Sequence, residues 1–282
     1  MSRIDVTADR STRPPKRATV ALLPQIGVVV TIGLQICWPL TSGQALAHLT
    51  VLTVLVFAAT SVGHAWIHRG GRWALQYAVT TTVFAFLLEW LGVSTGFPFT
   101  SYSYNDELGL RVLDVPLIIP IAWTMAAYPA LLLARTIATR ARWNPLTASA
   151  IGAVAMTAWD IFLDPQMVAA GYWTWVRPFW SLPGVPGIPA INFAGWLLGS
   201  FVLMLLLSPL RDDRAAGGLP KAQGVPAALW AWMWIGGVVA NAFFLGRPSV
   251  ALVGGLAMAT VSVPYFLTLW RAHGRGNNPV VT

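Results

Sequence analysis

Apolar runs of about 20 residues recur along this chain, and each is long enough to cross the hydrocarbon core of a bilayer. We read eight such spans, near residues 20–40, 46–67, 73–93, 115–135, 145–163, 189–209, 226–245 and 249–270. The fold class this implies is all-α, a polytopic bundle of about eight transmembrane helices. It spans residues 19–272, between a basic tail at 1–18 and a short C-terminal tail at 273–282. Only 10% of the residues are charged, far below the roughly 25% usual in soluble domains.

The few charges are distributed unevenly. Five Lys and Arg occupy the first 17 residues, and Arg69, Arg72, Arg135, Arg140, Arg142, Arg211, Arg214, Lys221, Arg271 and Arg275 fall in alternate gaps or at the C-terminus. Only Arg111, Arg177 and Arg247 fall on the opposite side. By the positive-inside rule both termini face the cytoplasm, and the expected location is the cell membrane, crossed many times. The net charge of +8 thus reads as topology control and lipid headgroup contact, not as a nucleic-acid surface. Cys37, the single cysteine, has no internal disulfide partner. The first apolar run lacks a convincing cleavage site, so it is read as a membrane helix and not as a signal peptide.

Six acidic residues fall in the outer half: Glu89, Asp106, Glu107, Asp114, Asp160 and Asp164. Asp160 and Asp164 are four apart and share a helix face. Pro165 disfavours helix at the residue before it, which puts Asp164 at the end of the fifth span. A carboxylate at membrane depth costs roughly 2.5–3.5 kcal/mol, so such a residue points to function. An unpaired carboxyl in an apolar setting keeps its proton near neutral pH and can donate it. The structural alternative is that these acids only pin helices together through Trp, Tyr or Asn.

Fifteen Trp are present. Most fit an interfacial belt, but Trp90, Trp123, Trp159 and Trp196 lie beside the acidic residues in sequence. They are candidates to line a site for an unsaturated substrate, or for a cation formed from it, which an indole face stabilises by about 2 kcal/mol. The two long outer gaps, 94–114 and 164–188, are rich in aromatic residues, Gly and Pro, as functional loops often are. Asn192 is placed to orient a carboxyl or a water. His64 and His68, four apart, lie across the membrane from the acids, and no metal is assigned to them. Gly195-x-x-x-Gly199 reads as close helix packing. We find no phosphate-binding glycine loop, nucleophile elbow or Cys-based metal site.

The run Glu89-Trp90-Leu91-Gly92-Val93-Ser94-Thr95-Gly96-Phe97-Pro98-Phe99, followed by Tyr102 and Tyr104, resembles the CruF-type membrane proteins of carotenoid biosynthesis. So do Val115-Pro116-Leu117 with Trp123, Asp160-Ile161-Phe162-Leu163-Asp164-Pro165, Trp173-Thr174-Trp175, and Gly187-Ile188-Pro189 with Asn192-Phe193 and Gly195-Trp196. The similarity covers roughly residues 84–200. It departs at Thr100, where Gly is expected after the Pro-Phe pair. The resemblance implies a carotenoid 1,2-hydratase, which adds water across the terminal double bond of an acyclic end group and leaves a tertiary alcohol. Acid catalysis would then use Asp160 as the proton donor, with Asp164 or Glu89 activating water. Asn192 and Tyr104 would position that water, and Trp90, Trp123, Trp159, Trp196 and Asp114 would contact substrate. The expected partners are an acyclic-ended carotenoid, water and membrane lipid, with no cofactor.

Three other readings stand beside this one. Asp160-x-x-x-Asp164 resembles one of the two magnesium–diphosphate motifs of aspartate-rich membrane prenyltransferases, but the second motif is missing. A non-catalytic carotenoid-binding protein would use the aromatic lining but leave the intramembrane carboxyls without a purpose. A transporter would ordinarily show an internal repeat, and none is seen.

Overall fold

A computed structural model describes residues 16–177, 180–210 and 222–276, with the side chains of residues 22–272. The basic tail up to residue 15 lies outside the described residues. So do residues 277–282 and 211–221, which include Arg211, Asp212, Asp213, Arg214 and Lys221.

Among the described residues, eight helices are long and apolar enough to cross a membrane. They are α1 (Lys16–Cys37), α2 (Gly43–Arg69), α3 (Gly71–Thr95), α4 (Ile118–Ala141), α5 (Pro145–Ala169), α6 (Ala190–Leu207), α7 (Gly224–Val239) and α8 (Pro248–Gly276). A 3₁₀ turn at Trp38–Leu40 extends α1, and a π turn at Ala240–Phe244 extends α7. Four short strands lie between helices: β1 (Tyr102–Tyr104), β2 (Arg111–Val112), β3 (Val115–Pro116) and β4 (Trp173–Trp175).

The helices sort their residues by the 3.6-residue period, with apolar side chains on both faces. On α3, Leu75, Val79, Val83 and Leu87 form an exposed stripe at i, i+4, i+8 and i+12. The opposite stripe, Ala74, Tyr77, Thr81, Ala85, Glu89 and Gly92, is buried. An apolar stripe that long faces lipid in a bilayer, so α3 turns Glu89 into the bundle. The central helix is α4, which packs against α2, α3, α5, α7 and α8. Its buried Ala126, Ala127, Ala130 and Ala134 let neighbouring backbones approach closely.

Two boundaries differ from the sequence reading in ways that matter. Val115 and Pro116 belong to strand β3, not to the fourth span, which begins at Ile118. The fifth helix runs to Ala169, past Pro165, so Asp164 is inside α5 and not at its end. Proline disfavours the α region for its predecessor only locally. Here Asp164 is held by hydrogen bonds to both side-chain oxygens, and those tertiary contacts override the local preference. The start of α5 follows ordinary capping. Asn144 accepts from the Thr147 backbone N–H at 2.9 Å, and Pro145 takes the first helical position.

At the opposite end of the bundle α2 and α3 are separated by Gly70 alone. Arg69 is buried there over the rings of Trp73 and Tyr128, 5.4 and 5.8 Å from their centroids. His64 meets the Tyr128 hydroxyl through Nδ1 at 2.7 Å, and its ring lies 4.4 Å from that of His68.

Candidate active site

The segments between α3 and α4 and between α5 and α6 lie at one end of the bundle, and they pair with each other. Strands β1 and β4 are antiparallel, with Tyr102 opposite Trp175, Ser103 opposite Thr174 and Tyr104 opposite Trp173. A strand alternates its faces. Ser103 and Thr174 are therefore exposed together, and the four aromatic residues share the inner face.

That face supplies hydrogen-bond donors to two buried carboxyls. Tyr102 and Tyr104 donate their hydroxyls to Glu89 Oε2 at 2.6 and 2.8 Å, and Trp123 donates its indole N–H to Oε1 at 3.1 Å. Trp173 and Trp175 donate to Asp164 Oδ1 at 2.7 and 3.3 Å. Burial, then the neighbouring Glu89, pushes the hydroxyls of Tyr102 and Tyr104 well above the usual tyrosine range, so both remain protonated donors.

Asn192, at the start of α6, bridges the remaining acids. Its amide nitrogen donates to Asp164 Oδ2 at 2.7 Å and to Asp160 Oδ2 at 3.1 Å. The last carboxyl oxygen, Asp160 Oδ1, is buried and has no hydrogen-bond partner among the described residues. Glu89, Asp160, Asp164 and Asn192 are each at most 4% exposed. Among the described residues no cationic side chain lines their cavity. Arg111, on the segment between α3 and α4, is engaged by Asp106 at 3.1 Å and by the Tyr104 carbonyl at 2.8 Å.

The carboxyls line a cavity of about 50 Å³ together with Phe99, Ile119, Ala122, Leu163 and the aromatic donors. Its indole wall is ordered. Trp123 and Trp196 stack with centroids 4.3 Å apart and planes 7° apart, and Trp159 meets Trp196 edge-on at 6.3 Å. Glycines make the assembly fit. A Cβ on Gly92 would lie 2.7 Å from the Tyr102 hydroxyl, and one on Gly195 would lie 2.8 Å from the Pro98 carbonyl oxygen. Tyr102 thus reaches Glu89 across a bare patch of α3, and the loop holding Phe99 rests on a bare patch of α6.

Of the candidates named from sequence, Glu89, Tyr104, Trp123, Trp159, Asp160, Asp164, Asn192 and Trp196 all line this cavity. Trp90 and Asp114 do not. Trp90 follows Glu89 by one residue, about 100° around the helix, and is 42% exposed on the outside of α3. Asp114 is exposed in the two-residue turn joining β2 and β3, where Leu113 and Asp114 take φ of 49° and 64°, as a type I′ hairpin requires. Sequence reasoning gave no role to Tyr102, Trp173 and Trp175 as donors. Their shared aromatic-x-aromatic spacing was the available signal, since it puts both members of each pair on one face of a strand.

A family model for carotenoid biosynthesis proteins matches residues 48–261, well over half of the chain, and it includes every residue of this cavity. The chain belongs to that family. This carotenoid biosynthesis protein is also 33% identical, over 132 residues, to bisanhydrobacterioruberin hydratase of Haloarcula japonica. That alignment covers 45% of this chain and 42% of the relative, so the chain spans less than half of the relative's length. No solved structure matches the chain. The family fits a membrane bundle whose buried polar groups gather around indole faces, as a site for an unsaturated hydrocarbon would require.

Proposed function

We propose that this family member is a carotenoid hydratase that adds water across the terminal 1,2 double bond of an acyclic end group by acid catalysis. The observation that carries the proposal is the unequal hydrogen bonding of the three carboxyls. Each oxygen of Glu89 and Asp164 faces an N–H or O–H donor, while Asp160 Oδ1 faces none. A proton is least opposed on that oxygen, which alone of the six faces no donor.

In this reading Asp160 Oδ1–H protonates the less substituted alkene carbon, and a new C–H bond forms as the π pair leaves the other carbon. The resulting tertiary cation lies against the indole wall of Trp123, Trp159 and Trp196, between the carboxylates of Glu89 and Asp164. Fixed negative charge and aromatic faces in a site shielded from water stabilise a developing cation without reorganisation. Water attacks the cationic carbon and gives a proton to Asp164. Asn192, which holds Asp160 and Asp164 side by side, keeps the path for returning that proton to Asp160 short. Positioned proton transfer of this kind contributes about 10²–10⁴-fold in rate. The similarity to a named hydratase supports the reaction class.

Positive charge on alternate gaps supports a location in the cell membrane with the carboxyls in the outer half. The carboxyl geometry does not favour a magnesium–diphosphate site. The oxygens of Asp164 point at indole and amide N–H groups, which repel a cation.

Expression in a host that accumulates lycopene tests the proposal. The pigment should gain the mass of one water at one or both ends. In deuterated medium a non-exchangeable deuterium should appear on the carbon next to the new alcohol. Unchanged lycopene in cells whose membranes contain the protein would refute it.

A further inference from the structure

A second cavity, of about 400 Å³, adjoins the carboxyl cavity. Ile119, Ala122, Trp159, Leu163 and Trp173 line both. The carboxyl cavity has only about an eighth of this volume. The carboxyl cavity is therefore too small for more than an end group.

The larger cavity runs between α1, α2, α4, α5 and α7, and its wall is mainly apolar. Its rim is not buried. Ile36 and Leu40 at the end of α1, and Ile235, Val239 and Phe244 on α7 and its π turn, are between 40% and 72% exposed. In a bilayer such apolar side chains face lipid, so the cavity opens sideways between α1 and α7. The two helices are joined near this opening by a hydrogen bond from the Trp232 indole N–H to Gln35 Oε1, at 2.6 Å.

We propose that this second cavity binds the linear polyene chain of the substrate, which enters laterally from the bilayer between α1 and α7. The chain lies along the cavity with its leading end group past Trp159 and Ala122, beneath the carboxyls. The Gln35–Trp232 pair forms the threshold. The identity of the ligand as a polyene rests on the proposed function. The route rests on the shared walls and the exposed apolar rim. A lipid acyl chain is the competing occupant.

The test reads binding, not turnover, in the Asp160→Asn protein, where substrate is held unreacted. Protein purified in mild detergent from the lycopene-accumulating host should carry lycopene, measured by its visible absorption. In a Cys37→Ser background, bound lycopene should slow the reaction of Val239→Cys with N-ethylmaleimide. It should not slow that of Leu75→Cys, on the lipid stripe of α3. Filling the cavity with Ala240→Trp should lower bound pigment about tenfold, the size expected of an overpacked site. Equal labelling of Val239→Cys with and without lycopene would overturn the proposal, and that single substitution at an exposed position leaves the core intact. Retention of an acyl chain by Ala240→Trp with undiminished lycopene would overturn it as well. Failure here with hydration intact removes only the route. Polyene protection without any hydration removes only the reaction.

Discussion

At the scale of single residues, the site depends on how each buried oxygen is satisfied. Asn192 is the clearest case, because one amide nitrogen serves two carboxyls. Replacing it by Ala leaves two buried acceptors without a donor, at roughly 1–3 kcal/mol each. The expected outcome for Asn192→Ala is a large fall in hydrated pigment, about 10²-fold if both proton steps suffer. Membrane protein level and pigment composition measure the two effects separately. Thr100 offers an opposite case. Its φ of 87° lies in the region that favours glycine. Thr100→Gly should raise stability by about 1 kcal/mol, seen as a higher unfolding temperature in detergent, with product formation unchanged. Which residues carry the site was only partly legible at this scale. Asp160 and Asp164 could be assigned to one helix face, because helical period is local, while Glu89 was placed only by its depth in the third span. Trp90 was placed by nearness in sequence, and one step along a helix turned it outward. Asp114 was placed by charge alone and proved to be a turn residue.

At the scale of elements, the β1–β4 pair acts as a cap that delivers four donors to two helices. Its two faces make separate predictions. Ser103→Ala and Thr174→Ala, on the exposed face, should leave activity intact. Trp173→Phe should not, because it keeps the ring but removes the 2.7 Å donor to Asp164. The relative pigment yields of these variants at equal protein level check the claim. Gly92→Ala belongs to the same scale. Its Cβ would lie 2.7 Å from the Tyr102 hydroxyl and 2.9 Å from Phe99, so it should push Tyr102 off Glu89. Activity should fall more than thermal stability does. Helices were the legible elements because each bilayer span has a length and composition that the chain displays directly. Strands of two or three residues have no such signature, and the β1–β4 pairing joins positions about 70 apart. Helix α5 passed Pro165 for a similar reason: the donors that hold Asp164 come from β4 and α6, which no local rule can see.

At the scale of the whole molecule, the architecture separates a buried polar site from a lipid-facing apolar shell. On the charge asymmetry, the carboxyl end is expected on the outer side. A cysteine at Leu110, which is 80% exposed between α3 and α4, tests this in a Cys37→Ser background. A membrane-impermeant maleimide should label it in intact cells, and labelling only after lysis would reverse the orientation. The proton chemistry of Asp160 is the claim on which the mechanism stands, and one comparison tests it most directly. Asp160→Asn and the unaltered protein are produced at equal membrane levels in lycopene-accumulating cells, and the hydrated fraction of the pigment is measured. The substitution keeps the shape and the Asn192 contact but removes the acid. Hydrated carotenoid should fall to background, with lycopene left unreacted. Hydration at the unaltered protein's level would contradict the assignment of Asp160 as the proton donor.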